Sequence, residues 1–359
     1  MAHWSAADEP PPTSAIDPSM SPETLRLAAL RHFATHALDD SSLTLVPASV
    51  DASFRSYWRS SGKHGSHIVM DAPPEHEDTS PFLDVAARLQ QAGLHVPQIL
   101  ASDATQGFIL MEDLGNRTYL PELNANSVDA MYGAALDALL AMQTSADVTG
   151  LPAYDHERLI TEMRLLPTWL LERHLGHAPT VEQQAIIERA FAWLANVAGE
   201  QPVVFVHRDF HSRNLMVCER RSPGIIDFQD ALLGPLTYDL ASLLRDCYIE
   251  WDDARVDAWV EAYRRRALDA GLIDASVSAD QFQRWFDLIG VQRHIKVLGI
   301  FCRLWYRDGK PQYLRDLPLV WRYTARIARR YPELAELLAI LESAVADRDL
   351  THATSAPLA

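Results

Sequence analysis

The spacing of apolar and polar residues changes character about one third of the way along the chain. Up to residue 111, short apolar runs separated by turn-forming residues predict strands over 43–46, 54–59, 67–70, 99–101 and 108–111. Apolar residues at helical spacing predict two helices, over 22–38 and 80–92, and Gly93 provides the C-terminal stop of the second. This part of the chain is therefore predicted to be a small, mainly β unit.

Beyond residue 115, helical spacing dominates. Helices are predicted over 127–142, 156–175, 181–198, 236–249, 254–270, 279–306, 312–331 and 333–346. The only strands predicted in this half are short runs beside residues 207–214. The pattern predicts an α+β protein with an antiparallel β-rich N-lobe over 21–115 and a helical C-lobe over 116–349. The start, 1–20, and the tail, 350–359, are predicted to be disordered.

Composition narrows the classes of protein that fit this pattern. Hydrophobic residues make up 48% of the 359 residues, and no apolar run is long enough to cross a membrane, so we expect no membrane partner. A net charge of −16 argues against a nucleic-acid partner, because binding to phosphate backbones depends on basic residues. The three cysteines lack metal-ligand or disulfide spacing, as expected for a cytoplasmic protein. We expect a monomer that acts on a small molecule.

The most informative segment is 207–214, which reads HRDFHSRN. It matches the kinase catalytic-loop pattern H-R-D-x-x-x-x-N, and a further acidic residue, Asp227, follows after Asn214. This order predicts phosphoryl transfer from ATP, with Asp209 accepting the proton of the attacking hydroxyl and Asn214 and Asp227 supplying oxygen ligands to Mg²⁺. Arg213 is expected either to stabilise the transferring phosphoryl group or to form a salt bridge. With the strand order, the motif predicts a two-lobed protein-kinase-like fold.

The chain resembles the aminoglycoside phosphotransferase family, whose signatures are H-x-D-x-x-x-x-N and I-D-x₆-G-x₄-D. The second signature is present as Ile226-Asp227, Gly234 and Asp239, which implies that Asp239 is structural and anchors the catalytic loop. Three further segments are similar to one subgroup of that family: 49–59 (SVDASFRSYWR), 110–115 (LMEDLG) and 292–301 (QRHIKVLGIF). The subgroup phosphorylates the C1 hydroxyl of N-acetylmuramate and N-acetylglucosamine. The resemblance therefore implies an amino-sugar substrate and a role in peptidoglycan recycling.

The nucleotide site is expected in the N-lobe. Segment 110–115 lies at the predicted boundary and would form the hinge, with backbone groups of Glu112 to Leu114 hydrogen-bonded to adenine. No glycine occurs between residues 45 and 61, so the phosphates would be held by Ser53, Phe54 and neighbouring amides rather than by a Gly-rich loop.

The third predicted strand, 67–70, lacks the lysine that kinases use to hold the α- and β-phosphates of ATP. Either Arg55 or Arg59 takes over this contact, since a guanidinium matches phosphate oxygens, or both are solvated residues at the strand edge. The missing lysine also leaves open a non-catalytic nucleotide-binding protein, although the base and both metal ligands are present.

The acceptor site is expected in the helical lobe. Its candidate contacts are polar residues near the catalytic loop or on long predicted helices: Glu162, His211, Gln292, Arg293 and His294. His294 is equally consistent with a buried helix histidine. Arg293 or Arg303 would suit the lactyl carboxylate of N-acetylmuramate. One or two aromatic rings are expected to stack on the sugar, from the set Trp251, Trp259, Trp285, Trp305 and Tyr306.

The same catalytic loop also fits a different acceptor. An aminoglycoside, choline or homoserine kinase would use the same base and metal ligands. An acidic cleft would favour a cationic acceptor, and the net charge of −16 is compatible with one.

Overall fold

A computed structural model describes residues 22–50, 54–354 and 356–357. The described residues form two compact units. The first contains the described residues up to Arg117 together with Met216–Asp230. The second contains Thr118–Leu215 and the described residues from Ala231 onward. The predicted leader, 1–20, lies outside the described residues.

The first unit is built on a five-stranded sheet. Its elements are α1 (Pro22–Leu38), β1 (Thr44–Val50), β2 (Ser56–Gly62), β3 (Gly65–Asp71), α2 (Ser80–Gln91), β4 (Ile99–Asp103) and β5 (Phe108–Glu112). The strand order is β1-β2-β3-β5-β4, and every neighbouring pair is antiparallel. The predicted β-β-β-α-β-β order is confirmed, with several strands longer than the apolar runs that predicted them.

Local sequence explains the first unit. The turn between β2 and β3 is tight, and Gly65 adopts a φ of 89°, a conformation that side chains disfavour. α1 packs on one face of the sheet, where Leu30 and Ala34 join Val69 and Phe108 in a buried core. Burial of this apolar face is the main stabilising term for the unit.

Four short strands lie around the catalytic loop, residues 207–214. They are β6 (Val203–Val206), β7 (Leu215–Met216), β8 (Gly224–Ile225) and β9 (Leu232–Pro235). β6 pairs antiparallel with β9, and β7 pairs with β8. The predicted strands on either side of the loop are confirmed.

The segment Met216–Asp230 corrects the predicted lobe boundaries, because it belongs to the first unit although it lies within the predicted C-lobe, 116–349. Backbone hydrogen bonds explain this assignment: Val217 N–H donates to Arg117 O over 2.8 Å, and Ile225 N–H donates to His95 O over 2.8 Å. The segment follows the catalytic loop in sequence but is hydrogen-bonded to residues 95 and 117 of the first unit. Such long-range pairing has no signature in a local pattern.

The second unit is mainly helical. Its α-helices are α3 (Tyr119–Glu122), α4 (Val128–Ser145), α5 (His156–Met163), α6 (Val181–Ala198), α7 (Tyr238–Leu244), α8 (Asp253–Asp269), α9 (Ala279–Tyr306), α10 (Leu317–Ala328) and α11 (Ala335–Val345). A π-helix covers Leu166–His174, and 3₁₀-helices cover Pro311–Asp316 and Pro332–Leu334. α9 is the longest helix and is almost entirely buried.

Three predicted helices are shorter or divided. The helix predicted over 156–175 ends at Met163 and continues as the π-helix, whose first turn contains Pro167. The helix predicted over 312–331 begins as a 3₁₀-helix, and α10 starts at Leu317 with a proline in its first turn. Proline lacks the N–H needed inside a helix, so these changes have a local cause. The helix predicted over 236–249 is reduced to α7.

The C-terminal segment differs from the prediction of a disordered tail over 350–359. Leu350 is buried, and its carbonyl oxygen lies 2.9 Å from His174 Nε2. Thr354 Oγ1 donates to Arg173 O over 3.1 Å. These contacts order the segment as far as Thr354. Among the described residues, no helix is long and apolar enough to cross a membrane.

Candidate active site

The catalytic loop is anchored at its start by Asp239, in the first turn of α7. Its carboxylate accepts hydrogen bonds from His207 N–H over 2.6 Å and from Arg208 N–H over 3.0 Å. Arg208 has a φ of 78°, which is uncommon for a residue other than glycine and needs such external support. Burial raises the pKa of Asp239 to about 7, while the two N–H donors favour its charged form. The anchoring contact predicted for Asp239 is present.

A second carboxylate, which the sequence reading did not identify, holds the other half of the loop. Asp246, just beyond α7, accepts a hydrogen bond from Ser212 N–H over 3.0 Å and another from the Ser212 hydroxyl. Within the loop, Asn214 Nδ2 donates to Asp209 O over 3.0 Å. The backbone around Asp209 is therefore fixed from both sides of the loop.

Asp209 lies in a cluster of cations. Burial disfavours its charged form, but nearby cations, led by Lys296 and including Arg293 and Arg208, lower its pKa to about 2. Asp209 is thus a carboxylate at neutral pH and can accept a hydrogen bond from a hydroxyl group. Lys296 comes from α9, three residues after Arg293, so both lie on neighbouring parts of one helix face. The sequence reading named Arg293 but not Lys296.

Glu162, predicted to contact the acceptor, is occupied by protein donors. Its Oε1 accepts from Arg208 Nη2 over 2.5 Å, and its Oε2 lies 3.1 Å from Lys296 Nζ and accepts from the Tyr154 hydroxyl. Burial raises the pKa of Glu162, but Lys296 and Arg208 outweigh it and the net pKa is lowered. These contacts correct the acceptor assignment: Glu162 is the counter-ion that holds Lys296 and Arg208 beside Asp209.

Two more acceptor candidates on α9 lie in the protein core. His294 is 2% exposed, its Nε2 lies 2.9 Å from Arg245 O, and its ring stacks on Tyr323. Burial lowers the pKa of His294 to about 3, so it is neutral at physiological pH. Gln292 is fully buried and its amide reaches Leu159 O. The buried-histidine interpretation of His294 is confirmed, and the acceptor assignment of both residues is corrected.

His211 and Arg293 remain beside Asp209. His211 is 8% exposed, its Nδ1 has no hydrogen-bond partner among the described residues, and burial lowers its pKa. The Arg293 side chain is 4% exposed, and its guanidinium lies 5.8 Å from the centre of the Tyr238 ring. Both residues act electrostatically on Asp209, and a contact of either with the acceptor stays a prediction.

Arg213 points to an aromatic ring. Its guanidinium carbon lies 3.5 Å from the centre of the Tyr248 ring, and Nη2 lies 3.8 Å from Asp316 Oδ2. Of the two roles predicted for Arg213, the salt bridge is present in this structure. A role for Arg213 in stabilising the phosphoryl group stays a prediction.

Four of the five aromatic residues predicted for the sugar site pack against rings outside the catalytic loop, and a sugar contact of the fifth, Trp305, stays a prediction. Trp251 and Trp259 pack against Tyr132, while Trp285 and Tyr306 are buried. The ring that contacts the loop is Tyr248, which lies against His211. Tyr248 in turn contacts Phe301, and Phe301 contacts Tyr313. The helix pattern distinguishes aromatic residues by face but does not tell which face the catalytic loop meets.

The residues predicted to contact the phosphates of ATP belong to the first unit. Ser53 lies outside the described residues. Phe54 N–H donates to Glu77 Oε1 over 3.3 Å, and its ring stacks on His76. Arg55 is partly exposed, and its role as a phosphate ligand stays a prediction.

Arg59 was predicted either to contact phosphate or to be solvated at the strand edge, but in the structure it pairs with Asp113. Its Nε and Nη2 donate to the two carboxylate oxygens of Asp113 over 2.7 and 3.1 Å, and Nη2 also donates to Gly115 O over 2.9 Å. A bidentate contact of this kind is geometrically specific. Arg59 therefore ties β2 to the hinge segment.

The charged end of β3 also has a partner. Asp71 Oδ1 accepts from Arg26 Nε over 2.9 Å and Nη2 over 2.5 Å, and Arg26 Nη2 donates as well to Gln106 O. β3, the strand that lacks the phosphate-binding lysine of kinases, thus ends in a carboxylate that is neutralised by an arginine of α1.

The backbone of the hinge segment, residues 110–115, is predicted to form hydrogen bonds with adenine. Glu112, the last residue of β5, is paired with His67 of β3, and its N–H donates to Gln98 O over 2.9 Å. The Leu114 carbonyl lies 3.9 Å from Cys218 Sγ, and its N–H makes none of the backbone–backbone hydrogen bonds found among the described turns and loops. The first unit also contains a cavity of about 850 Å³, and its lining includes residues 112–117 and 217–221.

The predicted metal ligands have oxygen donors that suit Mg²⁺. Asp227 follows β8 with a φ of 64°, and its Oδ1 accepts from Gln229 Nε2 over 2.9 Å. The Asn214 amide nitrogen is held by the backbone, so its amide oxygen is the atom suited to a cation. No group of three or more His, Cys, Asp or Glu side chains within the described residues is arranged to hold a metal. Binding of Mg²⁺ by Asn214 and Asp227 stays a prediction.

Comparison with known proteins identifies the family of the chain. Residues 44–273 match the model of a family described as the phosphotransferase enzyme family. A protein of Pseudomonas aeruginosa named N-acetylmuramate/N-acetylglucosamine kinase is 50% identical over 300 residues, which cover 83% of this chain and 88% of the relative. A Neisseria meningitidis protein of the same name is 40% identical over 330 residues, covering 90% and 98%.

Solved structures show the same fold at low identity. Plasmodium vivax ethanolamine kinase gives a TM-score of 0.59 at 12% identity, with 93% of each chain covered. An ADP-bound aminoglycoside phosphotransferase gives a TM-score of 0.55 at 14% identity, covering 84% of this chain and 98% of its own. The kinase-like α+β fold predicted from the sequence is confirmed, and the chain belongs to the phosphotransferase enzyme family.

Proposed function

We propose that the protein is an ATP-dependent kinase that phosphorylates the anomeric hydroxyl of N-acetylmuramate and N-acetylglucosamine, giving the 1-phosphates. The observation that carries the reaction type is Asp209, a carboxylate kept ionised by surrounding cations in a loop anchored by Asp239 and Asp246. The acceptor class is supported by the relatives of that name at 40 and 50% identity over most of the chain.

Asp209 is proposed to act on the acceptor. It accepts a hydrogen bond from the anomeric hydroxyl and takes its proton as the new oxygen–phosphorus bond forms and the bond to the ADP oxygen breaks. A carboxylate with a pKa of about 2 is a weak base. An anomeric hydroxyl is more acidic than an ordinary alcohol, so orientation with late proton transfer is sufficient. Lys296 limits the charge that builds up around Asp209 and the phosphoryl oxygens.

ATP and Mg²⁺ complete the proposal. Glu112 carbonyl and Leu114 N–H would bind the adenine edge, and Arg55 is the remaining candidate for a phosphate contact. Asn214 and Asp227 would hold Mg²⁺, which when bound neutralises charge on the β- and γ-phosphates. The protein's own residues then fix the acceptor and take its proton.

The proposal includes a cellular role and a compartment. The proposed role is peptidoglycan recycling by a monomer in the cytoplasm, where ATP is available. The three cysteines are unpaired, which is compatible with a reducing compartment.

A cationic acceptor is disfavoured by the charge near Asp209. Arg293 is buried there, and Lys296 lies beside it on α9. An aminoglycoside or choline would bring positive charge toward these cations. Because Glu162 balances Lys296 and Arg208, Arg293 is the cation that would favour a neutral or anionic sugar.

The test is Mg-ATP consumption by the purified protein with N-acetylmuramate, N-acetylglucosamine, kanamycin and choline in parallel. We expect turnover only with the two sugars, and an acid-labile sugar 1-phosphate identified by ³¹P NMR. The Asp209→Asn variant serves as the control for contaminating kinases. Turnover confined to kanamycin or choline would refute the sugar proposal, and binding of ATP with no turnover of any acceptor would indicate a non-catalytic protein.

A further inference from the structure

Lys296 takes part in a closed ring of hydrogen bonds beside the catalytic loop. Its Nζ lies 3.1 Å from Glu162 Oε2 and 3.3 Å from the Tyr238 hydroxyl. The Tyr238 hydroxyl lies 3.1 Å from the Tyr154 hydroxyl, which is itself hydrogen-bonded to Glu162 Oε2. The Lys296 side chain is 7% exposed, and both tyrosines are buried. The ring therefore joins α5, α7 and α9 in a region that is almost closed to solvent.

The chemistry of the four groups fixes the direction of every hydrogen bond in the ring. An ammonium can only donate and a carboxylate can only accept. The single hydrogen of the Tyr154 hydroxyl goes to Glu162, so the Tyr238 hydroxyl donates to Tyr154 and accepts from Lys296. A buried network in which each group depends on its neighbours holds one geometry. Without the Lys296 ammonium, Glu162 and Tyr238 would each lose a donor that no other member of the ring can supply.

The ring is attached to the catalytic loop at two places. Glu162 Oε1, the oxygen outside the ring, accepts from Arg208 Nη2 over 2.5 Å. Tyr238 directly precedes Asp239, whose carboxylate accepts from the Arg208 backbone N–H over 3.0 Å. Arg208 is thus held by its side chain and by its backbone, in a conformation with a φ of 78° that needs such support. Asp209 is the next residue, so its direction depends on how Arg208 is held.

Lys296 also acts on the loop through its charge. Among the cations that lower the pKa of Asp209, Lys296 has the largest effect, ahead of Arg293 and Arg208. The same ammonium therefore lies near Asp209 and is bonded to Glu162 and Tyr238. The hydrogen bonds and the electrostatic effect agree on where the side chain lies.

Resting on the proposed function, we propose that Lys296 is a positioning residue of the phosphoryl transfer. It closes the ring that holds Arg208 and thereby places the Asp209 carboxylate, and it contacts neither the acceptor nor ATP. A displacement of about 1 Å at a reacting group can cost about 100-fold in rate. Loss of Lys296 should therefore lower the rate of transfer in the bound complex and leave substrate binding unchanged.

The test is the single-turnover rate of phosphoryl transfer in the full-length protein, measured by rapid quench with enzyme in excess of ATP and saturating N-acetylglucosamine. We expect Lys296→Met to lower this rate by about 10- to 100-fold, with the KM values for ATP and the sugar within about twofold of wild type. Lys63→Met is the matched control, because Lys63 is 49% exposed at the surface of the first unit. It should keep the wild-type rate.

A pair of tyrosine variants tests the ring without removing a charge. Tyr238→Phe removes the hydroxyl that links Lys296 to Tyr154, and we expect an about 3- to 10-fold lower rate, the effect of one neutral hydrogen bond. Tyr306→Phe is its control: Tyr306 is also buried, lies on α9 like Lys296, and its hydroxyl lies 3.2 Å from His174 Nδ1, outside the ring. It should keep the wild-type rate. This pair decides the proposal even if Lys296→Met does not fold.

A double variant tests whether Lys296 acts through Glu162. If both belong to one ring, the loss in Lys296→Met/Glu162→Gln should be smaller than the product of the two single losses. Losses that multiply would show that Lys296 acts independently of Glu162 and would refute the proposal.

Three further results would also refute it. The first is a rate in Lys296→Met within about twofold of wild type. The second is a raised KM for the sugar at an unchanged maximal rate, which would make Lys296 a direct acceptor contact. The third is an equal loss in Tyr238→Phe and Tyr306→Phe, which would reflect general packing. A wild type that phosphorylates neither sugar would refute the proposed function itself, which is a separate result.

Discussion

At the scale of single residues, the site is organised by charge. Asp209 is held ionised by cations that are themselves balanced by Glu162. Glu162 thus affects the charge around Asp209 indirectly, by neutralising the buried cations Arg208 and Lys296. Charge-balanced clusters of this kind lose much of their stability when one member is removed.

Replacement of Asp209 by Asn tests the proposed base. We expect kcat to fall by about 10²- to 10⁴-fold, the usual contribution of a positioned base, with the far-UV circular dichroism spectrum unchanged. An amide keeps the shape of the side chain but cannot take the proton. Unchanged turnover in Asp209→Asn would show that the anomeric hydroxyl needs no protein base.

The pH dependence follows from the pKa of Asp209. Because that pKa is lowered to about 2, Asp209 is ionised at every pH above about 3, and its protonation does not limit activity there. We expect the pH profile of kcat/KM, measured between pH 5 and 8, to show no acid limb due to this residue. An acid limb near pH 5 that disappears in Asp209→Asn would contradict the charge distribution described above.

Loss of the counter-ion should destabilise the protein. Glu162→Gln leaves Lys296 and Arg208 buried without their carboxylate, and we expect about 3–5 kcal/mol less free energy of unfolding in urea. Glu261→Gln is the matched control, since Glu261 also pairs with two arginines but lies at the surface, where such pairs contribute about 1 kcal/mol or less. Equal effects in the two variants would show that burial of the Glu162 cluster does not matter.

At the scale of elements, α9 owes its place to a close contact. A Cβ atom on Gly299 would lie 2.5 Å from the Leu165 carbonyl carbon and 2.6 Å from Leu165 Cβ. Glycine therefore lets α9 approach Leu165, just beyond the end of α5, and the last turn of α5 carries Glu162, which pairs with Lys296. The helix pattern indicates a glycine in a buried helix but not the backbone that it meets.

A pair of glycine substitutions separates packing from helix propensity. Gly299→Ala should lower the free energy of unfolding by about 1–3 kcal/mol, because the backbone of residue 165 must move. Gly133→Ala, in α4, has nothing within 4 Å of the added methyl group and should raise it by about 0.5–1 kcal/mol through helix propensity. Both are measured by urea denaturation. If Gly299→Ala is as stabilising as Gly133→Ala, the close approach of α9 is not tight.

Element order was largely predictable, whereas several element ends were not. Helices such as α6 and α9 carry long periodic patterns and were predicted nearly to their ends. The division of 156–175 and 312–331 depended on prolines that interrupt helical hydrogen bonding. The spacing of apolar residues is unchanged by one proline, but the proline removes a backbone N–H that a continuous helix needs.

At the scale of the whole molecule, the chain is divided into units that do not follow sequence order. Met216–Asp230 leaves the helical part of the chain and joins the sheet-containing unit. Asp227 is thus carried by the first unit, while Asp209 and Asn214 belong to the second. The predicted catalytic residues are contributed by both units.

Nucleotide binding should therefore be visible as stabilisation of the whole protein. A non-hydrolysable ATP analogue at about 100 times its Kd should add roughly 2.7 kcal/mol to the free energy of unfolding, seen as a higher Tm. We expect EDTA to remove most of this shift and to abolish turnover, with both restored by added Mg²⁺. In Asp227→Asn the Mg²⁺-dependent part of the shift should be lost, and a full shift in that variant would exclude Asp227 as a metal ligand.

The sequence by itself determined the catalytic loop, the strand and helix order and the reaction class, because each is encoded by short-range spacing that a linear pattern displays. Tertiary structure decided which polar residues surround Asp209. Lys296, which the pattern did not single out, lies close enough to lower the pKa of Asp209, whereas His294, a predicted acceptor contact, is hydrogen-bonded to Arg245 O in the core. Both lie on one buried helix, and only packing fixes which face of that helix meets the loop. Glu162 changed from an expected acceptor contact to a counter-ion for the same reason: its partners, Arg208 and Lys296, are 46 and 134 residues away along the chain.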